Sequence, residues 1–296
     1  MEIDEYQAAA ADTIQFDIGN EQAKLITLLG LSGEVGELST EYKKQVRDGA
    51  SYKIFKEKLT EEIGDVLWYL SSLATMEDIL LSDVVKENLR KTQERWHDLH
   101  PRGLLLFEKD FLDDDCREDE QFPRSFVAEF EERKTDIGTV YVDVTVNGKK
   151  FGNNVTDNAY DDDYYRYHDI FHLSYVVVLG WSPVCRKFFN CKRRSNPARD
   201  EVEDGGRGAV IDEAISILVF EYAQEHSYFD GAGGVDYSLL RTVKNLTKNL
   251  EVKACTPRDW EQAILLGFEM WRMLCEYRGG RVVCDMTERT MYFENL

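Results

Sequence analysis

Apolar residues recur at intervals of three and four through most of the first hundred positions, the spacing that lines one face of an α-helix. Residues 3–18 carry Tyr6, Ala10, Ile14 and Phe16 on one side, and Gly19-Asn20 reads as a stop. A longer helix is predicted over 21–46, a turn at Asp48-Gly49-Ala50-Ser51, and a third helix over 54–78 whose run Val66–Leu70 reads as core. Ser82-Asp83 reads as the N-cap of a fourth helix ending near Trp96. Four helices with short connections predict a small bundle.

The pattern changes at His97. From there to about Pro123 the chain becomes irregular and acidic, notably over Phe111–Gln121, and reads as a linker. Gly138–Val146 then alternates with period two and runs into Asn147-Gly148, the signal of a type I′ hairpin. Helical periodicity returns at Tyr164 and continues through Leu173–Trp181, Val210–Tyr222, 236–250 and, after Thr256-Pro257, on to Tyr277. Glycines at 205, 206 and 208 and at 231, 233 and 234 mark breaks. The expected architecture is mainly α. It comprises a helical bundle over 1–100, an acidic linker over 101–125, and a mainly helical domain with a small β-hairpin over 126–296.

Carboxylates interrupt the apolar pattern in an orderly way. Glu34 and Glu37 are spaced i, i+3, as are Glu62 and Asp65, with Glu61 directly before the second pair. Stacked like charges weaken an isolated helix. Acidic pairs are common on solvated faces, but these lie among Leu28, Leu29, Leu31, Val35 and Val66–Leu70. Carboxylates in such surroundings persist when paired or metal-bound. Two such helices packed antiparallel would gather the four carboxylates around a hard cation, Mg²⁺ or alternatively Mn²⁺. Lys43, Lys44 and Arg47 follow the first pair and suit a helix C-terminus; Lys43 and Lys44 equally suit contact with phosphates, Arg47 less so. Asn88, Lys91 and Arg95 share one face of the fourth helix.

Leu-Gly-Leu-Ser-Gly-Glu-Val-Gly-Glu-Leu (29–38) followed by Glu-Glu-Ile-Gly-Asp-Val-Leu-Trp-Tyr-Leu (61–70) resembles the E-x-x-E … E-x-x-D signature of MazG-like, all-α nucleoside triphosphate pyrophosphohydrolases. Glu5-Tyr6-Gln7 and Asn88-x-x-Lys91-x-x-x-Arg95 fit that pattern too, and the resemblance spans about 3–100. It implies Mg²⁺-dependent hydrolysis of a nucleoside triphosphate, ribo or deoxy, to the monophosphate and pyrophosphate. It further implies metal ligation by Glu34, Glu37, Glu62 and Asp65, and a water-activating carboxylate at Glu37 or Glu61. Substrate contacts fall to Lys43, Lys44, Asn88, Lys91 and Arg95, and Trp68 either stacks on the base or belongs to the core. MazG-like modules assemble as dimers or tetramers, so a homo-oligomer is implied. A rival reading makes the N-terminal module a nucleotide sensor and lets the C-terminal part act on a partner.

The formal charge of −20 argues against broad attraction to nucleic acid. It also repels a triphosphate, so metal and local cations would have to screen the phosphates. The N-terminus shows no basic-then-apolar leader and no stretch reaches membrane-span length. Six cysteines without a C-x-x-C pair fit reduced thiols in a cytoplasmic protein.

In the second half, His168 and His172 are spaced i, i+4, with Asp169 between them and Glu213 further on. Three readings compete: histidines satisfied within a core, a metal site of His168, Asp169, His172 and Glu213, or a distant likeness to the H-E-x-x-H of zinc proteases. The order of parts echoes the first half, as in a diverged repeat, with Ser216 where the counterpart of Asp65 would stand. Arg186, Lys187, Lys192, Arg193, Arg194 and Arg199 form a basic patch, either a solvated loop or a site for phosphates.

Overall fold

A computed structural model of the chain describes residues 1–15, 21–96 and 111–295, with the side chains of 21, 90, 91 and 93–96 also outside the description. The chain divides into two compact units, Met1–Trp96 and His97–Leu296.

The first unit consists of α1 (Ile3–Ala11), α2 (Glu21–Asp48), α3 (Phe55–Met76) and α4 (Leu81–Trp96). The first helix stops at Ala11, short of the predicted position 18. The amides of Thr13 and Ile14 turn back onto the carbonyls of Ala10 and Ala11, and the expected stop at Gly19-Asn20 lies outside the described residues. The α2–α3 pair is antiparallel. Tyr42 meets Phe55 edge-on at 5.4 Å, Thr27 meets Met76, and Lys24 pairs with Glu77 at 2.8 Å. Gly30 makes this approach close, since a β-carbon there would sit 2.3 Å from the Tyr69 ring.

The start of α4 corrects the expectation that Ser82-Asp83 caps it. The caps come from α1 instead: Gln7 Oε1 accepts from the Leu81 amide at 2.8 Å and Asp4 from the Ser82 amide at 3.0 Å. Gln7 Nε2 also donates to the Ile79 carbonyl at 2.8 Å, riveting α1 to the α3–α4 turn. Buried amides at a helix start need such partners. Meanwhile Leu25, Leu28, Leu29, Val35, Ile63 and Leu70 of α2 and α3 are exposed, Leu29 by 64%.

The second unit departs from the predicted mainly helical domain with one hairpin. It holds a five-stranded antiparallel sheet in the order β3-β2-β1-β4-β5, from β1 (Ser125–Lys134), β2 (Val140–Val146), β3 (Lys149–Lys150), β4 (Gly279–Asp285) and β5 (Thr290–Glu294). The hairpin turn stands where Asn147-Gly148 placed it, both residues having positive φ. Its partner strand β1 and the distant pair β4–β5 were not anticipated. Among the described residues, six α-helices accompany the sheet: α5 (Asp169–Leu179), α6 (Pro183–Phe188), α7 (Pro197–Val202), α8 (Gly206–Gln224), α9 (Tyr237–Thr247) and α10 (Pro257–Tyr277). Every residue of α5 is buried, as its almost uninterrupted apolar sequence requires. It packs along α10, where Gly267 leaves room for Ser174, and α10 in turn packs on β4.

Residues 111–124 are not a free linker. Asp113 is buried, accepts from the Phe122 amide at 2.9 Å, and pairs with Arg186 at 3.0 Å and Arg124 at 2.8 Å. The basic patch is likewise structural at its centre. Arg186 and Arg193 are buried, and Arg193 binds Asp204 and Glu251, each at 2.6 Å. Paired guanidinium groups of this kind hold loops together and are not available to phosphates.

Candidate functional site

Three of the predicted carboxylates converge. Glu34 on α2 and Glu62 and Asp65 on α3 each offer an oxygen within 4.8 Å of the other two. The helical spacing puts Glu62 and Asp65 on one face of α3, and the Gly30–Tyr69 contact one turn away draws α2 against that face. Glu62 is buried, Glu34 half-buried and Asp65 exposed, so the cluster runs from the helix interface to solvent.

Among the described residues, no cation-bearing side chain neutralises it. Burial pushes the Glu62 carboxyl up, and the charges of Glu37, Asp65, Glu34 and Glu61 push it further. Glu34 is raised by burial, then by Asp65 and Glu37. Oε2 of Glu62 is buried without a hydrogen-bond partner. Buried acceptors without donors are costly, and crowded carboxylates of mixed exposure are the donor set of a hard divalent cation. The residues present therefore fit Mg²⁺ or Mn²⁺.

The other predicted residues fall into separate places. Glu37 stands exposed one turn along α2, outside the tight group, although its charge reaches both Glu34 and Glu62. Glu61 turns to Lys58, 2.6 Å away. Lys44 pairs at 2.5 Å with Glu41, a buried carboxylate that sequence reasoning passed over and that also accepts from Tyr52. Only the i, i+3 spacing of Glu41 and Lys44 signalled that pair. Lys43 is exposed, as is Asn88 on α4; the side chains of Lys91 and Arg95 lie outside the described residues. Trp68 donates Nε1–H to Thr13 at 2.7 Å, which ties α3 to the segment after α1. Tyr6, within the Glu5-Tyr6-Gln7 stretch, has its phenol pushed up by burial and by Asp65.

In the second unit, His168, His172 and Glu213 also bring one ligand atom each within 4.8 Å of one another. Asp169 is buried beside them, so it is not the accessible base a protease would need; burial pushes its carboxyl up. Asp212 was missed: its carboxylate accepts from His172 Nδ1 at 2.8 Å. Its position inside an apolar helix, beside Glu213, was the available signal.

Residues 22–100 match the family model of the MazG nucleotide pyrophosphohydrolase domain, and residues 107–296 match that of the MazG C-terminal domain. The chain belongs to the MazG family. The Gene 37 protein of Mycobacterium phage L5 is 38% identical over 101 residues, covering 32% of this chain and 89% of the phage protein. No solved structure matches the chain. Membership in MazG implies nucleoside triphosphate pyrophosphohydrolase activity, and the carboxylates of α2 and α3 lie inside the matched pyrophosphohydrolase segment. Among the described residues, no helix is long and apolar enough to cross a membrane.

Proposed function

We propose that the N-terminal unit of this MazG protein hydrolyses a nucleoside triphosphate between the α and β phosphates, using Mg²⁺ held by Glu34, Glu62 and Asp65. The convergence of these three carboxylates, with a buried unpartnered oxygen on Glu62, carries the reading. A divalent cation in such a donor set supplies charge for the phosphates and lowers the pKa of a bound water.

The chain's own residues divide the remaining work. Glu37 is exposed next to the cluster and, among the described residues, is not paired with a lysine, so it is the carboxylate that orients the attacking water and accepts its proton. Glu61, tied to Lys58, is the weaker candidate. Lys43 reaches for phosphate oxygens, whereas Lys44 is occupied in holding Glu41. Asn88 on α4 is a further substrate contact in this reading, and the resemblance assigns the same role to Lys91 and Arg95.

The exposed apolar residues of α2 and α3 are covered in this reading by a second copy of the chain, because monomers seldom leave contiguous patches of this kind open. With all six cysteines unbridged, the proposed setting is the reducing cytoplasm.

The test is pyrophosphate release from a panel of ribo- and deoxynucleoside triphosphates with Mg²⁺. Glu37→Gln should lower kcat by about 100-fold or more, the usual contribution of a general base, and Asp65→Asn should abolish the Mg²⁺ response. Lys43→Ala should raise KM with little change in kcat. Nucleotide binding without turnover would replace the enzyme with a sensor. Light scattering should show an oligomer that Leu29→Glu dissociates.

A further inference from the structure

The histidine cluster of the second unit is built as a site. Burial removes His172 entirely from solvent. Its Nδ1 is committed to Asp212, which is itself buried and fixed by Ser182 Oγ at 2.6 Å and the Val184 amide at 3.2 Å. Its Nε2 faces Glu213 Oε2 at 3.3 Å. This ring nitrogen and carboxylate oxygen, with His168 beside them, bring three ligand atoms within 4.8 Å of one another.

His168 is arranged the same way. Its Nδ1 lies 3.0 Å from the Tyr165 carbonyl, and its ring stacks on that of Tyr165 with centroids 4.4 Å apart. Both imidazoles therefore have Nδ1 anchored, while Nε2 faces a carboxylate in each, Glu213 at 3.3 Å for His172 and Asp169 at 3.9 Å for His168. A carboxylate or carbonyl behind one nitrogen is the arrangement that fixes the tautomer and orientation of metal-bound histidine.

We propose that His168, His172 and Glu213 bind a first-row transition-metal ion of the Zn²⁺ class, with Asp212 and the Tyr165 carbonyl as the outer anchors. Two imidazoles and one carboxylate favour such an ion over Mg²⁺, which takes oxygen donors. Three protein ligands leave a coordination position open for water or an oxygen ligand. The half-exposed Glu213 marks the side from which that ligand enters. The site is separate from the α2–α3 carboxylates in chemistry and in domain, and the inference does not rest on N-terminal catalysis.

The experiment uses the full chain stripped with chelator and kept in excess Mg²⁺, which occupies the oxygen-donor site. Calorimetric titration with Zn²⁺ should show one equivalent bound per chain, and Co²⁺ should give ligand-field absorption typical of nitrogen and oxygen donors. Glu213→Gln and His168→Gln, both at positions reached by solvent, should remove the stoichiometric binding while circular dichroism stays native. Asp212→Asn should weaken it about 10- to 100-fold, as outer-anchor substitutions do. Glu62→Gln should leave it intact. Absence of Zn²⁺ uptake in the wild type, or uptake surviving both Gln variants, would overturn the proposal. Loss of uptake in Glu62→Gln alone would assign the binding to the first unit instead.

Discussion

Glu62 is where the proposed chemistry and the stability of the first unit meet. Burial and its acidic neighbours raise its carboxyl above the ordinary value, so the folded chain binds a proton there more readily than the unfolded chain does. Stability contributed by that group then falls as pH rises from the unfolded toward the folded titration range. At neutral pH the metal-free cluster is a liability that a divalent cation offsets. Adding Mg²⁺ should raise the melting temperature, by an amount equivalent to about 2.7 kcal/mol at a hundred times the dissociation constant. Glu62→Gln should raise the metal-free melting temperature and abolish most of the Mg²⁺ effect. A variant that melts lower without metal would show that the carboxylate is satisfied by something else.

At the scale of elements, Gly30 sets the distance between α2 and α3. Gly30→Ala should cost about 1–3 kcal/mol, the range for overpacking, because Tyr69 is held edge-on by Trp68 at 4.9 Å; urea denaturation measures it. In the second unit, Asp204→Ala removes one of the two carboxylate partners of Arg193, one of the bulkiest fully buried side chains, and leaves it Glu251. Leaving a buried charge with no partner at all costs about 3–5 kcal/mol; with Glu251 still in place the loss should stay below that range, and a thermal melt measures it. These elements were unequally legible. The helices announce themselves through local spacing, as do the two carboxylate pairs; Glu62 and Asp65 enter the folded cluster together, whereas Glu34 enters it without Glu37. β1 carries a readable alternation, Phe126, Ala128 and Phe130 all being buried, but the charged residues between and after them resemble the preceding acidic stretch. The Arg186 and Arg193 ion pairs draw their acids from 113, 204 and 251. No local pattern joins those positions, and so a buried network reads from sequence as a free basic patch. Asp212 hid for the same reason: its role depends on a histidine 40 residues earlier.

For the whole molecule, a net charge of −20 opposes the approach of a triphosphate. Association should therefore quicken as added salt screens the repulsion at constant free Mg²⁺; a kcat/KM that falls steeply with salt would point to a basic entry path not apparent in the charge balance. The sheet order adds a consequence in time. β1 is paired by β2 close behind it, but its other edge waits for β4, with Glu129 meeting Arg281 across 152 residues. A chain emerging from the ribosome can complete α1 to α4 while the second unit still presents a bare strand edge. Domains generally fold in order of synthesis, and unpaired edges invite association in the interval. Ribosome-stalled chains ending before residue 279 should resist protease over the first unit and remain cleavable over the second.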